Sequence, residues 1–153
     1  MSSVENNDGS FPLKTKTLSR NFKNKNLSIL FNEFNDKLFL LISNYNKVGT
    51  FILTNRSGVL NNLDFYVEKF DKNDDSMTFE HKILLGSRES INLPSIYSSF
   101  ILEKIIKKNE NETRPILLGL SLDSKLLGTE VDIDLNREYL SEIESMLMEL
   151  QII

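Results

Sequence analysis

Cysteine is absent from all 153 residues, which removes disulfides, thiolate metal sites and cysteine nucleophiles in one step. A reducing compartment, cytosol or nucleus, fits such a chain. Histidine occurs once, as His81, so an HExxH zinc motif cannot be written. The glycines at 49, 58, 86, 119 and 128 stand singly. They build neither a P-loop nor a GxGxxG cradle, and there is no GxSxG elbow. Asp71, Asp74 and Asp75 resemble the start of a calcium loop but lack its glycine and closing glutamate, so a polar turn is the reading. Asp132 and Asp134 read as loop or cap residues. No cofactor, no metal and no catalytic residue is expected.

Long apolar runs are also missing. The longest, residues 38–42, is far short of the roughly 20 residues that cross a bilayer. The opening MSSVENNDGS has neither a basic start nor an apolar core, so no secretory signal is expected. The Asn-x-Ser/Thr triplets at Asn26, Asn55 and Asn111 then read as chance. With 18 basic against 22 acidic residues the net charge is −4, which disfavours a general nucleic-acid binder.

What the chain does have is a series of short apolar strands. Residues 1–12 are polar and punctuated by Gly9 and Pro12, and are expected to be a flexible segment ahead of one domain over 13–153. Residues 14–18 form a weak strand, with a turn at 24–26. Leu27, Ile29 and Phe31 alternate with Ser28, Leu30 and Asn32, the period of two that puts one set on one face. Residues 38–43 (LFLLIS) are apolar on both faces, as a central strand is. After a turn at 44–47, residues 48–54 form another strand. Gly49 within it points to a bulge or a close backbone approach. The short links between these strands favour antiparallel hairpins.

Residues 63–68 and 77–83 are half-buried strands separated by the polar turn 71–76. His81 lies in the second of them, where a structural role is expected. A helix starts near Asn92, with Leu93, Ile96, Tyr97, Phe100, Ile101 and Ile105 as its apolar stripe. Residues 116–122 (ILLGLSL) read as an internal strand. A last helix spans about 136–150, lined by Tyr139, Leu140, Ile143, Met146, Leu147 and Leu150, with Met148 off the stripe.

The expected fold is α/β of the α+β kind: about six mostly antiparallel strands with two helices packed on one face. Two helices leave the second face uncovered, although residues 38–42 and 116–118 are apolar on both sides. A partner chain or a curled sheet must cover that face, and dimerisation is the inference.

Charge is unevenly spread. Lys14, Lys16, Arg20, Lys23 and Lys25 form a basic cluster, either a solvated strand edge and turn or a contact patch for an acidic surface. Residues 130–149 hold seven acids and one arginine, either a solvated helical face or a surface that attracts a basic partner.

Three stretches in order resemble the proteasome assembly chaperone 3 family: KLFLLISNYNKVGT (37–50), KILLG (82–86) leading to a helix, and RPILLGLSL (114–122) followed by the last helix. The likeness extends over residues 14–150. Residues 55–76 are longer and more strand-like than compact members suggest. The ending LQII lacks the hydrophobic-tyrosine-any tail of other proteasome binders.

The resemblance implies a non-catalytic chaperone for the α-subunit ring of the 20S proteasome, in cytoplasm and nucleus. It implies a heterodimer with a similarly folded second chaperone, the chain being either the chaperone-3 or the chaperone-4 half, and contact with an α-type ring subunit, α5. Neither nucleic acid nor membrane is an expected partner. Exposure logic assigns the second sheet face and the last helix to the companion. It assigns the ring-subunit contact to the turn at Lys23 and Lys25 and the loop with Tyr45 and Lys47, and makes Met148 an interfacial candidate. The alternative is a longin- or roadblock-like dimeric scaffold in trafficking or small-GTPase regulation.

Overall fold

The computed structural model describes residues 3–6, 13–44, 49–57, 66–67, 77–86, 92–122 and 132–153. In chain order the elements are β1 (Ser3–Asn6), β2 (Thr15–Phe22), β3 (Lys25–Glu33), β4 (Leu38–Ser43), β5 (Thr50–Arg56), β6 (Tyr66–Val67), β7 (Phe79–Leu85), α1 (Asn92–Lys108), β8 (Ile116–Ser121) and α2 (Ile133–Glu149). They make one sheet in the order β1-β2-β3-β4-β8-β5-β7-β6. Its body is the expected six strands, β2 to β7 in that spatial order. The short β1 and β6 lie at the two edges. All pairings are antiparallel except β4 with β8.

Two expectations are corrected. Residues Ser3–Asn6, placed in a flexible segment by their polarity, pair antiparallel with residues 16–19 of β2. The backbone hydrogen bonds that the edge of β2 offers outweigh the poor local composition. And β4 and β5, joined by a short link, are not hairpin partners: β8 lies between them, parallel to β4 and antiparallel to β5. The link is tied to β8 at both ends. The Asn44 N–H donates to Ser121 O at 2.8 Å. Gly49 passes so close that a Cβ there would lie 2.2 Å from Leu120 O. The glycine thus marks a close approach, while the bulge falls nearby, where Phe51 faces Leu85 and Ile52 faces Ile83.

The strand period decides the core. Leu18, Leu27, Ile29, Phe31, Leu40, Ile42, Ile52, Ile116 and Leu118 all point to one side and are at most 3% exposed. Tyr97, Ile101, Leu102, Ile105 and Ile106 of α1 and Tyr139, Ile143, Met146 and Leu147 of α2 complete the same cluster. Each helix therefore packs on this face by burying an apolar stripe at three- and four-residue spacing.

The helices run parallel. The Tyr97 hydroxyl donates to Asn136 Oδ1 at 3.1 Å near their starts. Lys104 meets Glu144 at 2.6 Å further along, and Lys108 Nζ donates to Gln151 O at 3.0 Å past the end of α2. On α1, Ile96 is 53% exposed rather than buried. Ser98 faces the sheet instead, because its hydroxyl donates to Thr54 Oγ1 at 2.6 Å. The start of α2 is earlier than expected because Asp132 caps it, accepting from the Leu135 N–H at 2.9 Å.

The strand expected over 63–68 is described only as β6. The turn at 71–76 and most of the loop after β8 lie outside the described residues.

Candidate protein-interaction surface

The strand positions that point away from the helices form ordered cross-strand rows. One row reads Thr17, Leu30, Leu41, Gly119, Phe51 across β2, β3, β4, β8 and β5. The next reads Thr15, Asn32, Phe39, Leu117, Leu53 in the same order. A third, on the other side of the first, is Ser19, Ser28, Ser43, Ser121. Leu30, Phe39, Leu41, Phe51, Leu53 and Leu117 are each half-buried, whereas their chain neighbours on the helix side are sealed. Phe39 stacks on Phe51 with centroids 6.3 Å apart, and Phe34 meets the edge of Phe39 at 6.4 Å.

No charged residue stands in these three rows over the strands named. Charge enters at the margins: at one edge Glu5 of β1 pairs with Thr17, and at the other Lys82 of β7 pairs with Leu53 and Glu80 with Asn55. The face is an apolar centre with a hydroxyl border, the make-up of an interface core beside a polar rim. Among the described residues no helix or strand lies over it.

The charged segments are engaged with each other. Arg20 meets Glu142 at 2.8 Å, pairs with Glu149, and donates to Ser145 Oγ at 3.1 Å. The Glu142 hydrogen bond holds the Arg20 guanidinium above its ordinary range. Lys23 pairs with Glu138, and Lys104 with Glu144. The basic β2–β3 hairpin thus neutralises one flank of the acidic α2, and α1 neutralises the other. Arg114 clamps the start of β8 to the β3–β4 turn. It grips both Glu112 oxygens at 2.9 and 2.7 Å and donates to Phe34 O at 2.8 Å. Arg114 thereby holds the Glu112 carboxyl below the usual carboxylate range.

The candidate residues do not converge. Lys23 occupies the hairpin turn with φ 52, its ammonium 5.9 Å from the Phe22 ring centroid. Lys25 opens β3 opposite Phe22, half-buried on the helix side. Met148 is 60% exposed on α2, ten residues and hence roughly 15 Å along the helix from Glu138. Tyr45 and Lys47 lie outside the described residues. The apolar row members are the residues that position-by-position reasoning passed over, although double-sided apolarity in LFLLI and ILL was their signal.

His81 is packed. It is 5% exposed, with Nδ1 2.9 Å from Thr54 Oγ1 and Nε2 3.1 Å from Ser99 Oγ. Burial pushes the imidazole down to about 4. Among the described residues no carboxylate orients the ring, so there it has the partners of a satisfied core histidine. Among the described residues no group of three or more His, Asp or Glu side chains could hold a metal ion, and no helix is long and apolar enough to cross a membrane.

No curated protein matches the sequence. The family described as proteasome assembly chaperone 3 matches residues 40–149, from the central strand β4 to the end of α2 and so most of the open face and both helices. A small sheet layered with two helices and an apolar side left open suit a family of non-catalytic assembly chaperones, and the chain belongs to the proteasome assembly chaperone 3 family.

Proposed function

We propose that the chain is one half of a chaperone pair that helps assemble the α-subunit ring of the 20S proteasome. It pairs with a similarly folded second chaperone through the open sheet face and contacts an α-type ring subunit, α5-like, elsewhere. The observation that carries this reading is the uncharged apolar face centred on Leu41, Phe51 and Leu117 in a chain of this family. An apolar sheet side of this kind suits burial against another protein.

Pairing through that face leaves the hairpin turn and the outer side of α2 uncovered by the second chaperone. Lys23, Lys25 and Met148, with Tyr45 and Lys47, are the residues we assign to further contacts. The mechanism is positional. The pair holds one ring subunit and raises the effective concentration of its proper neighbour, while mismatched contacts penalise the wrong one. Cytoplasm and nucleus are the compartments the reading implies.

Affinity purification of the tagged chain from its source cells, followed by mass spectrometry, tests the reading. The expected recovery is a second small chaperone together with free α-type subunits. Leu117→Asp is expected to lose the second chaperone. Recovery of mature proteasome alone, or of membrane-coat proteins, would overturn it.

A further inference from the structure

At the centre of the open face is a residue without a side chain. In the cross-strand register Gly119 stands between Leu41 and Phe51. A Cβ built on it would lie 2.3 Å from Leu41 Cδ2 and 2.9 Å from Phe51 Cε1. The two flanking side chains therefore lean over the glycine and occupy the space a side chain would need.

The fold has no other use for this glycine. Its φ is not positive, so the backbone does not require it. It points away from the core, which its neighbours Leu118 and Leu120 fill from the other side of β8. A glycine inside a strand weakens the strand and marks a place where something must come close. Here the things that come close are two apolar side chains of the surface itself.

We propose that Gly119 is a positioning residue that levels the apolar plate, and that the plate is levelled to receive the face of a second β-sheet. This rests on the reading of the chain as one half of a chaperone pair. Two sheets stack about 10 Å apart only when both inner faces are evenly filled. A helix, by contrast, seats its ridge in a groove, and the closed space over Gly119 offers none.

The dimensions agree. Five strands about 4.8 Å apart, with three rows about 7 Å apart, present roughly 500 Å² in projection, and the side chains standing on it raise the accessible area toward the roughly 800 Å² per partner of a standard interface. The serine row gives the plate a direction. The occupant presents hydrogen-bonding side chains over Ser28, Ser43 and Ser121 and apolar ones over the two rows beside them.

The test uses the second chaperone recovered with the wild-type chain and then produced on its own. Its dissociation constant is measured by calorimetry against the full-length wild type, Gly119→Ala, Leu41→Ala, the double variant and Leu117→Asp, with thermal melts of each. Gly119→Ala pushes Leu41 and Phe51 outward and is expected to weaken pairing by about tenfold or more. Leu41→Ala opens a pit and also weakens it. The double variant, whose new methyl group fills that pit, is expected to bind more tightly than either single variant, a reversal that independent sites do not give.

Additive losses, or Gly119→Ala binding like wild type, would overturn the proposal. Should Gly119→Ala fail to fold, Leu41→Ala still decides, since it creates no clash: unchanged binding refutes the levelled plate. Leu117→Asp separates the two levels. If it binds normally, the face is not the docking site and the underlying reading falls. If it abolishes binding while Gly119→Ala does nothing, only the role of Gly119 falls. Recovery of no second chaperone overturns both.

Discussion

Leu40 and Leu41 are neighbours on one strand with the same side chain and opposite fates. Leu40 points under the helices and is fully sealed, while Leu41 points to the other side and stays half-open to water. The contrast repeats at Leu118 and Leu117, and at Ile52 and Leu53. On one face apolar side chains stabilise the chain itself. On the other, equally apolar side chains stay half-open to water. A strand such as LFLLIS thus presents apolar side chains to two surroundings, one for each parity.

The sharpest way to break this comparison is a matched pair of truncations in the isolated chain. Leu40→Ala removes a sealed side chain from a close-packed layer and is expected to destabilise folding by roughly 2–5 kcal/mol. Leu41→Ala is expected to cost less than about 1 kcal/mol, because water already reaches the site. Denaturant titration of both variants measures the difference. Equal losses would mean that the open face is sealed within a single molecule.

The two faces were legible to different degrees in the sequence. Periodicity sufficed for β3, α1 and α2, and double-sided apolarity marked β4 and β8 as internal. What local pattern could not carry was the neighbour of each strand. Nothing in residues 44–49 says that β8, some 70 residues later, will fill the gap beside β4.

The charges misled for the same reason. The basic cluster and the acidic helix each read as either a solvated surface or a contact patch, whereas Arg20 and Glu142, with a sequence separation of 122, pair within the chain. The hairpin turn was obscured by its own residues. Lys23 and Asn24 both have positive φ, the two-residue turn that joins tightly paired strands, and a lysine hides that signal where asparagine or glycine would display it. For the open sheet side, the apolarity of the face could be read from the sequence. Its individual residues needed the register.

The sealed face also holds a polar group that acid should expose. His81 is buried beneath α1, and among the described residues its ring partners are two hydroxyls, those of Thr54 and Ser99. Burial lowers its pKa from 6.5 to about 4. Between those values the unfolded chain binds the proton and the folded chain does not, so stability rises with pH across that window. The contribution is complete above about pH 6.5 and is lost as pH falls toward 4. Between pH 7.5 and pH 5 the expected loss is about 2 kcal/mol, measured by urea denaturation at both values. His81→Gln should flatten that difference. A slope that persists unchanged in the variant would assign it to other groups.

The smallest expected effect lies where α2 ends and closes the sealed side. The Ile152 N–H donates to Leu147 O and the Gln151 N–H to Met148 O, both at 2.9 Å, the paired bonds of a Schellman cap. The cap folds Ile152 back so that it is 8% exposed beside the core, which explains why an apolar residue two positions past the helix cap is sealed. Its hinge is Gln151, held at φ 57, a conformation that glycine adopts without the Cβ penalty. Gln151→Gly should therefore relieve local strain. The gain is partly offset by the greater freedom of glycine in the unfolded chain, leaving a net stabilisation of roughly 0.5 kcal/mol. Because Gln151 is exposed and far from the open face, pairing affinity should not change. A variant that loses stability would show that the side chain of Gln151, rather than its backbone, holds the end of the helix layer in place.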